Sequence, residues 1–301
     1  MRQFDFLGKT KYFVPLSLLL VTVSIVILIP GVRGLRLGID FTGGMEFTVL
    51  FAEAVDTADI RTTLGTIDTG GSDLTKSVIQ DIAGRNTKVI TTQLLNVEED
   101  QRVIDRIETT LRANFPVEDI SRRLIGQQVS RELAQKGWQA VLLAVVAILI
   151  YISWRFRLRY AIGAVAAILH DVVIALGVFS IFQVEVNLAT IAAFLTIVGY
   201  SLNDTIVIYD RIRENLKVER RRSIFEIINH SVNQSLSRTL NTSLTTFIPV
   251  IILFVFGGSI LRGFSLALLI GVIVGTYSSM YIANPILHAW SLKADKSKKG
   301  R

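Results

Sequence analysis

The chain has 301 residues, 50% of them hydrophobic, a formal net charge of +7 and no cysteine, with a mean hydropathy of +0.49. The apolar excess excludes an ordinary soluble enzyme, and the missing cysteine excludes disulfides and thiolate metal sites. Nor does the charge mark a nucleic-acid binder, because it lies in short segments beside apolar runs, as in the loops of membrane proteins.

In chain order, Met1 to Tyr12 is short and basic, and Phe13 to Pro30 is a first apolar run. The Gly31-Val32-Arg33 that follows offers no small-residue cleavage site, so residues 1–33 read as an N-terminal segment and an uncleaved anchor. Residues 34–136 are polar and mixed in charge, long enough to build a core of their own. Glu46–Phe51 reads as a strand, and Thr57–Ile67 as a helix with Thr57 and Asp59 available to cap its start. Ser77–Ala83 and Thr87–Leu95 read as strands around a Gly84-Arg85-Asn86 turn. In Glu98–Phe115, Val103, Ile104, Ile107 and Leu111 recur at helical spacing with charges opposite, and Val117–Ile125 closes the segment as a strand. The order β-α-β-β-α-β predicts a ferredoxin-like α+β sandwich.

Residues 137–290 contain five more apolar runs, giving six expected transmembrane helices. They are Trp138–Trp154, Tyr160–Phe182, Leu188–Tyr209, Arg238–Phe256 and Gly263–Ile286. A basic loop is expected at 210–237, and a lysine-rich tail without structure at 291–301. The N-terminus, Arg155–Arg159, Arg211–Arg222 and the tail together carry 17 Lys and Arg, whereas the loops Gln183–Asn187 and Gly257–Arg262 carry one. The basic side is therefore expected to be cytoplasmic, with both termini there and the α+β domain outside.

The run Leu188–Tyr209 is about long enough to cross a bilayer, yet it contains Asn203-Asp204. An Asp at a helix centre costs about 2.5–3.5 kcal/mol on insertion scales, against roughly −0.3 to −0.6 for each Leu, Ile, Val or Phe. Ten such residues leave little surplus, so Asp204 is expected to face protein or water and to be functional. Arg238 enters the next helix from the same side and can reach it. Arg238, Asn241, Thr242 and Thr245 share one helical face, and Tyr200 is a further candidate for a polar lining. His170-Asp171 is a second intramembrane polar site. Neighbours on a helix point about 100° apart, which predicts that the two serve different contacts, with His170 the more structural. Gly271, Gly275, Ser279 and Ala283 form a small-residue seam suited to close helix contact, including the docking of a partner.

No phosphate-binding loop or metal-ligand cluster is present, so no cofactor, no metal site and no enzymatic activity are expected. GIDFTGG (Gly38–Gly44) runs into a strand and does not open a helix, which argues against phosphate cradling.

Five stretches carry a family resemblance: GIDFTGG with Gly38, Asp40, Gly43 and Gly44; LHDVVIALG (Leu169–Gly177); GYSLNDTIVIYDRIREN (Gly199–Asn215); SLSRTLNTS (Ser235–Ser243); and FGG…GFSLALLIG (Phe256–Gly271). Over nearly its whole length the chain resembles the SecF family of protein-export membrane subunits, within the wider RND-type transporters. The resemblance implies a multi-pass protein of the bacterial inner membrane that works with SecD beside the SecYEG channel, with YidC and YajC as further associates and unfolded proteins as clients. It implies use of the proton motive force, with Asp204 and Arg238 as the charged pair of proton passage and Asn203 and Asp171 beside them. An RND-type exporter of small molecules or lipids, and a structural accessory that conducts nothing, are the alternatives.

Overall fold

The computed structural model describes residues 4–67, 73–82, 86–92, 97–219 and 221–299. The chain forms two compact units, one of Leu37–Gln139 and one of Met1–Arg36 with Ala140–Arg301.

The 37–139 unit opens with a single turn, α2 (Ile39–Thr42), then β2 (Gly44–Phe51), α3 (Thr57–Gly65), a 3-10 turn at Leu74–Lys76, β3 (Val78–Ile82), β4 (Thr87–Thr92), α4 (Val97–Asn114) and β5 (Val117–Ile125). β1 (Arg36–Leu37) lies at its entrance. The strands lie in the order β3-β4-β2-β5, and every pairing is antiparallel. The expected β-α-β-β-α-β order is thus present. Its core follows from two periodicities. Met45, Phe47, Val49 and Phe51 alternate onto one face of β2, while Val103, Ile104, Ile107 and Leu111 make the apolar stripe of α4; with Ile60 and Leu64 of α3 they bury together. The N-cap of α3 is Asp56, which accepts from Ala58 N at 3.0 Å, and not Thr57 or Asp59. The expected Gly84-Arg85 turn and the strand ends at Ala83 and Gln93–Leu95 fall outside the described residues.

The second unit contains the spans. Six helical segments of the described residues are long and apolar enough to cross a membrane. They are α1 (Thr10–Leu28), α5 (Gln127–Arg155), α6 (Leu158–Phe182), α7 (Leu188–Val218), α8 (Ile224–Phe256), and α9 (Gly258–Tyr281) with α10 (Ala283–Lys299). The two-residue strand β6 (Glu185–Val186) links α6 to α7. α6, α7 and α9 carry most of the buried residues, and α1, α5 and α8 turn broad apolar faces outward.

Both helices flanking the basic segment overrun the expected bounds. α7 continues to Val218, and α8 starts at Ile224 behind a capping box: Ser223 Oγ accepts from Glu226 N at 3.2 Å while Glu226 Oε2 accepts from Ser223 N at 2.9 Å. The expected loop at 210–237 is therefore a helical hairpin. The last span breaks at Ile282, and the tail expected to lack structure continues as α10 to Lys299. At the break Tyr209 Oη donates to Ala283 O at 2.9 Å. A side chain at Gly163 would collide with that hydroxyl, at 2.2 Å. The N-terminal segment is tied down as well: Asn229 Oδ1 accepts from Phe6 N at 2.7 Å, and Phe6 and Leu7 are buried in the helical core.

The small-residue seam is occupied from within. A Cβ at Gly271 would sit 2.2 Å from Ile197 Cγ1, and one at Gly275 3.1 Å from Ser201 Cβ, both on α7. The seam therefore lets α9 approach α7 closely.

Candidate functional site

α7 runs through the middle of the helical unit, and two carboxyls lie on or against it. Asp204 is 2% exposed. Asn187 starts the helix with a capping box, Asn187 Oδ1 accepting from Thr190 N and Thr190 Oγ1 from Asn187 N, each at 2.9 Å. From there the 3.6-residue repeat turns Ala193, Ile197, Ser201, Asp204 and Ile208 inward. Asp204 is thus carried into the bundle by its place on an otherwise apolar stripe. Its Oδ2 has no hydrogen-bonding partner among the described residues. The groups of α8 whose dipole and charge act on it are Thr242 and Arg238.

Arg238 makes no ion pair among the described residues, and its charge bears on Asp204 without one. Arg238, Asn241 and Thr245 are exposed on α8 and Thr242 is half-buried, which keeps the four on the shared face expected of them. Asn203 also lies on the surface, in line with Gly199 and Thr196 on α7, and does not join Asp204. Tyr200 enters a directed hydroxyl chain. Thr276 Oγ1 donates to Val272 O at 2.7 Å, Ser243 to Thr276 at 2.6 Å, and Tyr200 to Ser243 at 3.0 Å, which pins α7, α8 and α9 together.

Asp171, 1% exposed, sits on α6 where three helices meet. Its Oδ2 accepts from Ser201 Oγ of α7 at 2.5 Å and from Ser278 Oγ of α9 at 2.8 Å. Its Oδ1 is 2.9 Å from His170 Nδ1. The two neighbours were expected to serve different contacts; instead they bond to each other and are both buried. A side-chain bond between adjacent residues spans the 100° between their directions. Ser201 and Ser278 are hydrogen-bonding neighbours of Asp171 that sequence reasoning missed. Ser201 was legible as a small polar residue one turn before Asp204, whereas nothing local distinguishes Ser278.

In GIDFTGG, Gly38 precedes α2 and Asp40 is 5% exposed within it. Arg123 of β5 lies 3.6 Å from Asp40 Oδ1 and 3.6 Å from Glu46. Gly43 (φ 69°) and Gly44 (φ 124°) turn the chain into β2 in a left-handed backbone that other residues resist, and a Cβ at Gly43 would lie 3.3 Å from Gln127 Cα. The motif is a built corner of the α+β unit, and Arg123 is its unforeseen partner. No group of three or more metal-ligating side chains occurs among the described residues.

Residues 106–293 match the family described as protein export membrane protein SecD/SecF, C-terminal, and residues 29–55 match the SecD/SecF GG motif. The chain is 39% identical over 307 residues to a protein translocase subunit SecF of Petrotoga mobilis, covering 99% of this chain and 100% of that one. It is 44% identical over 290 residues to the corresponding subunit of Magnetococcus marinus, covering 95% and 91%. Among solved structures, SecDF from Thermus thermophilus, titled a translocon-associated membrane protein, superposes with a TM-score of 0.86 at 35% identity over 96% of this chain. SecDF in a super-membrane-facing form superposes with a TM-score of 0.69 at 34% identity. The chain spans 39% and 40% of those two longer chains.

Proposed function

The chain belongs to the SecF family of protein translocase subunits, as a multi-pass membrane protein, and from that premise we propose that it uses the proton motive force to assist Sec-dependent export across the bacterial inner membrane. Both termini are cytoplasmic in this reading and the α+β unit is outside. The observation that carries the reading is Asp204: a buried carboxyl in a membrane helix, with one oxygen unpartnered among the described residues and with Thr242 and Arg238 acting on it without an ion pair. Burial disfavours the charged form of a carboxyl and a nearby guanidinium favours it. As the bundle rearranges and Arg238 approaches or withdraws, the two effects trade dominance, and Asp204 releases or takes up a proton. A proton crossing the potential supplies about 2.3 kcal/mol per 100 mV, enough to bias a rearrangement of packed helices.

The partner in this reading is SecD. The solved relatives are SecDF proteins, and this chain leaves Asn203, Arg238, Asn241 and Thr245 exposed on spanning helices, where lipid is a poor neighbour for polar groups. SecYEG, with YidC and YajC, and translocating unfolded proteins complete the assembly proposed. Asp171 joins Asp204 in proton coupling through Ser201. Asp204→Asn keeps the size and much of the hydrogen bonding but cannot titrate. The variant is expected to assemble and to lose the part of export driven by an imposed gradient. Undiminished gradient-driven export would make Asp204 a structural residue and the chain a passive accessory.

A further inference from the structure

His170 contributes a second feature of the α6–α7–α9 junction. The residue is 6% exposed, and its Nε2 has no hydrogen-bonding partner among the described residues. Its Nδ1 faces Asp171 Oδ1 at 2.9 Å. The other carboxyl oxygen is already taken by two hydroxyl donors, Ser201 and Ser278. With Oδ2 so occupied, Oδ1 is the acceptor left for the ring, an arrangement that suits a hydrogen on Nδ1 and a bare lone pair on Nε2. Such a ring is held by a carboxylate on one side and open to a proton on the other.

The ring lies against Tyr277 of α9, centroids 6.0 Å apart and planes 27° from parallel. Tyr277 in turn donates to Phe13 O of α1 at 2.8 Å and accepts from Ser17 at 2.7 Å. The groups around His170 that can titrate are therefore few. Asp171 is its neighbour on α6, Tyr277 is on α9, and Asp204 lies one turn beyond Ser201 on α7. On α1 the only ionisable side chains, Lys11 and Tyr12, are in the first turn, and on α10 His288 packs against Phe225 of α8. No cation other than His170 itself stands beside Asp171 in the ion pairs of the described residues.

We propose that His170 is a second proton-accepting group of this chain, its Nε2 taking the proton while Asp171 holds the ring through Nδ1 and Ser201 passes the change of charge to α7, one turn from Asp204. Protonation adds one hydrogen to Nε2 and breaks no bond. The Nδ1–H···Oδ1 bond remains, and the pair passes from a net charge of −1 to neutral. Asp171 then takes its part in proton coupling as the residue that positions the ring. Ser201 and Ser278, whose hydroxyls were matched to a net anion, now face a neutral pair. The junction of three helices thereby acquires two charge states, which is what a proton-driven rearrangement needs. This inference rests on the proton-coupling reading above for its role, but not for its chemistry.

The test uses the full chain in proteoliposomes, labelled with 15N-histidine and examined by solid-state NMR. Three histidines are present, and the His170 signals are those that disappear in His170→Asn. The expected result is a neutral Nδ1–H tautomer that converts to imidazolium as the pH is lowered. A ring that keeps one charge state as the pH is lowered, or a neutral Nε2–H tautomer, overturns the proposal whatever Asp204 does. In parallel, export is measured in membranes with an imposed gradient. His170→Asn keeps an N–H near the position of Nδ1 and so preserves the hold on Asp171, yet it is expected to lose the gradient-driven increment while assembly persists. A full increment in His170→Asn overturns the role assigned here. Full gradient dependence in Asp204→Asn, with a titrating His170 that His170→Asn shows to be required, refutes the reading of Asp204 and leaves His170 supported.

Discussion

The closeness of α9 to α7 can be measured with one pair of substitutions, Gly271→Ala and Gly275→Ala. Both replace a helical glycine by alanine, and both gain the same intrinsic propensity, about 0.8–1.0 kcal/mol. They differ in what the new methyl meets. At Gly271 it would lie 2.2 Å from Ile197 Cγ1 and 2.7 Å from both Cδ1 and Cγ2. Optimal carbon–carbon separation is about 3.5–4.0 Å. With three side-chain carbons in the way, a rotamer change of Ile197 does not clear the site, and the helices must part. At Gly275 the nearest atoms are Ser201 Cβ at 3.1 Å and Cα at 3.4 Å, which a shift of a few tenths of an ångström accommodates. Overpacking a close-packed interior costs about 1–3 kcal/mol. Since the propensity term cancels between the variants, Gly271→Ala is expected to be less stable than Gly275→Ala by about that amount, read from equilibrium unfolding in mixed micelles. Adding Ile197→Ala to Gly271→Ala is expected to cost less than Ile197→Ala alone, with a coupling of at least about 0.5 kcal/mol. Equal stability of the two alanine variants, or strict additivity with Ile197→Ala, would refute the packing argument.

Three further outcomes are expected. In this cysteine-free chain, Arg221→Cys and Lys298→Cys should be shielded from impermeant thiol reagents on intact cells while Asp73→Cys reacts; labelling at position 298 from outside would reverse the topology. Phe47 is fully buried in the α+β unit, so Phe47→Ala should destabilise that unit by about 3–5 kcal/mol. Amide exchange should then rise in β2 and β4 and stay unchanged in α6 and α7, and uniform exchange would contradict two separate cores. At Arg238, Lys keeps the charge without the planar fork. Arg238→Lys should therefore retain more gradient-driven export than Arg238→Ala, and equal loss in both would mean that geometry, not charge, matters there.

Much of this protein is legible in the residues alone because its largest energies are local in sequence. Apolar runs of bilayer length, the period-2 face of β2 and the 3.6-period face of α4 are each visible as patterns, and the strand expected at Val117–Ile125 has the bounds observed. Helix ends followed the same logic where the signal was read: Ser223-x-x-Glu226 is a capping box visible in the sequence, and overlooking it left α8 fourteen residues short. A buried Asp204 was equally predictable, since its cost in lipid leaves it few places to go. What the chain could not reveal by itself was which polar groups meet across helices. Ser201, Ser278 and Asp171 come from α7, α9 and α6, and nothing in any one segment says that the two serines meet at Asp171. The same holds for the seam of Gly271 and Gly275, whose spacing marks close packing without saying on what. That choice is made when three helices settle together, because only then are the donors, acceptors and missing side chains of one helix matched against those of another.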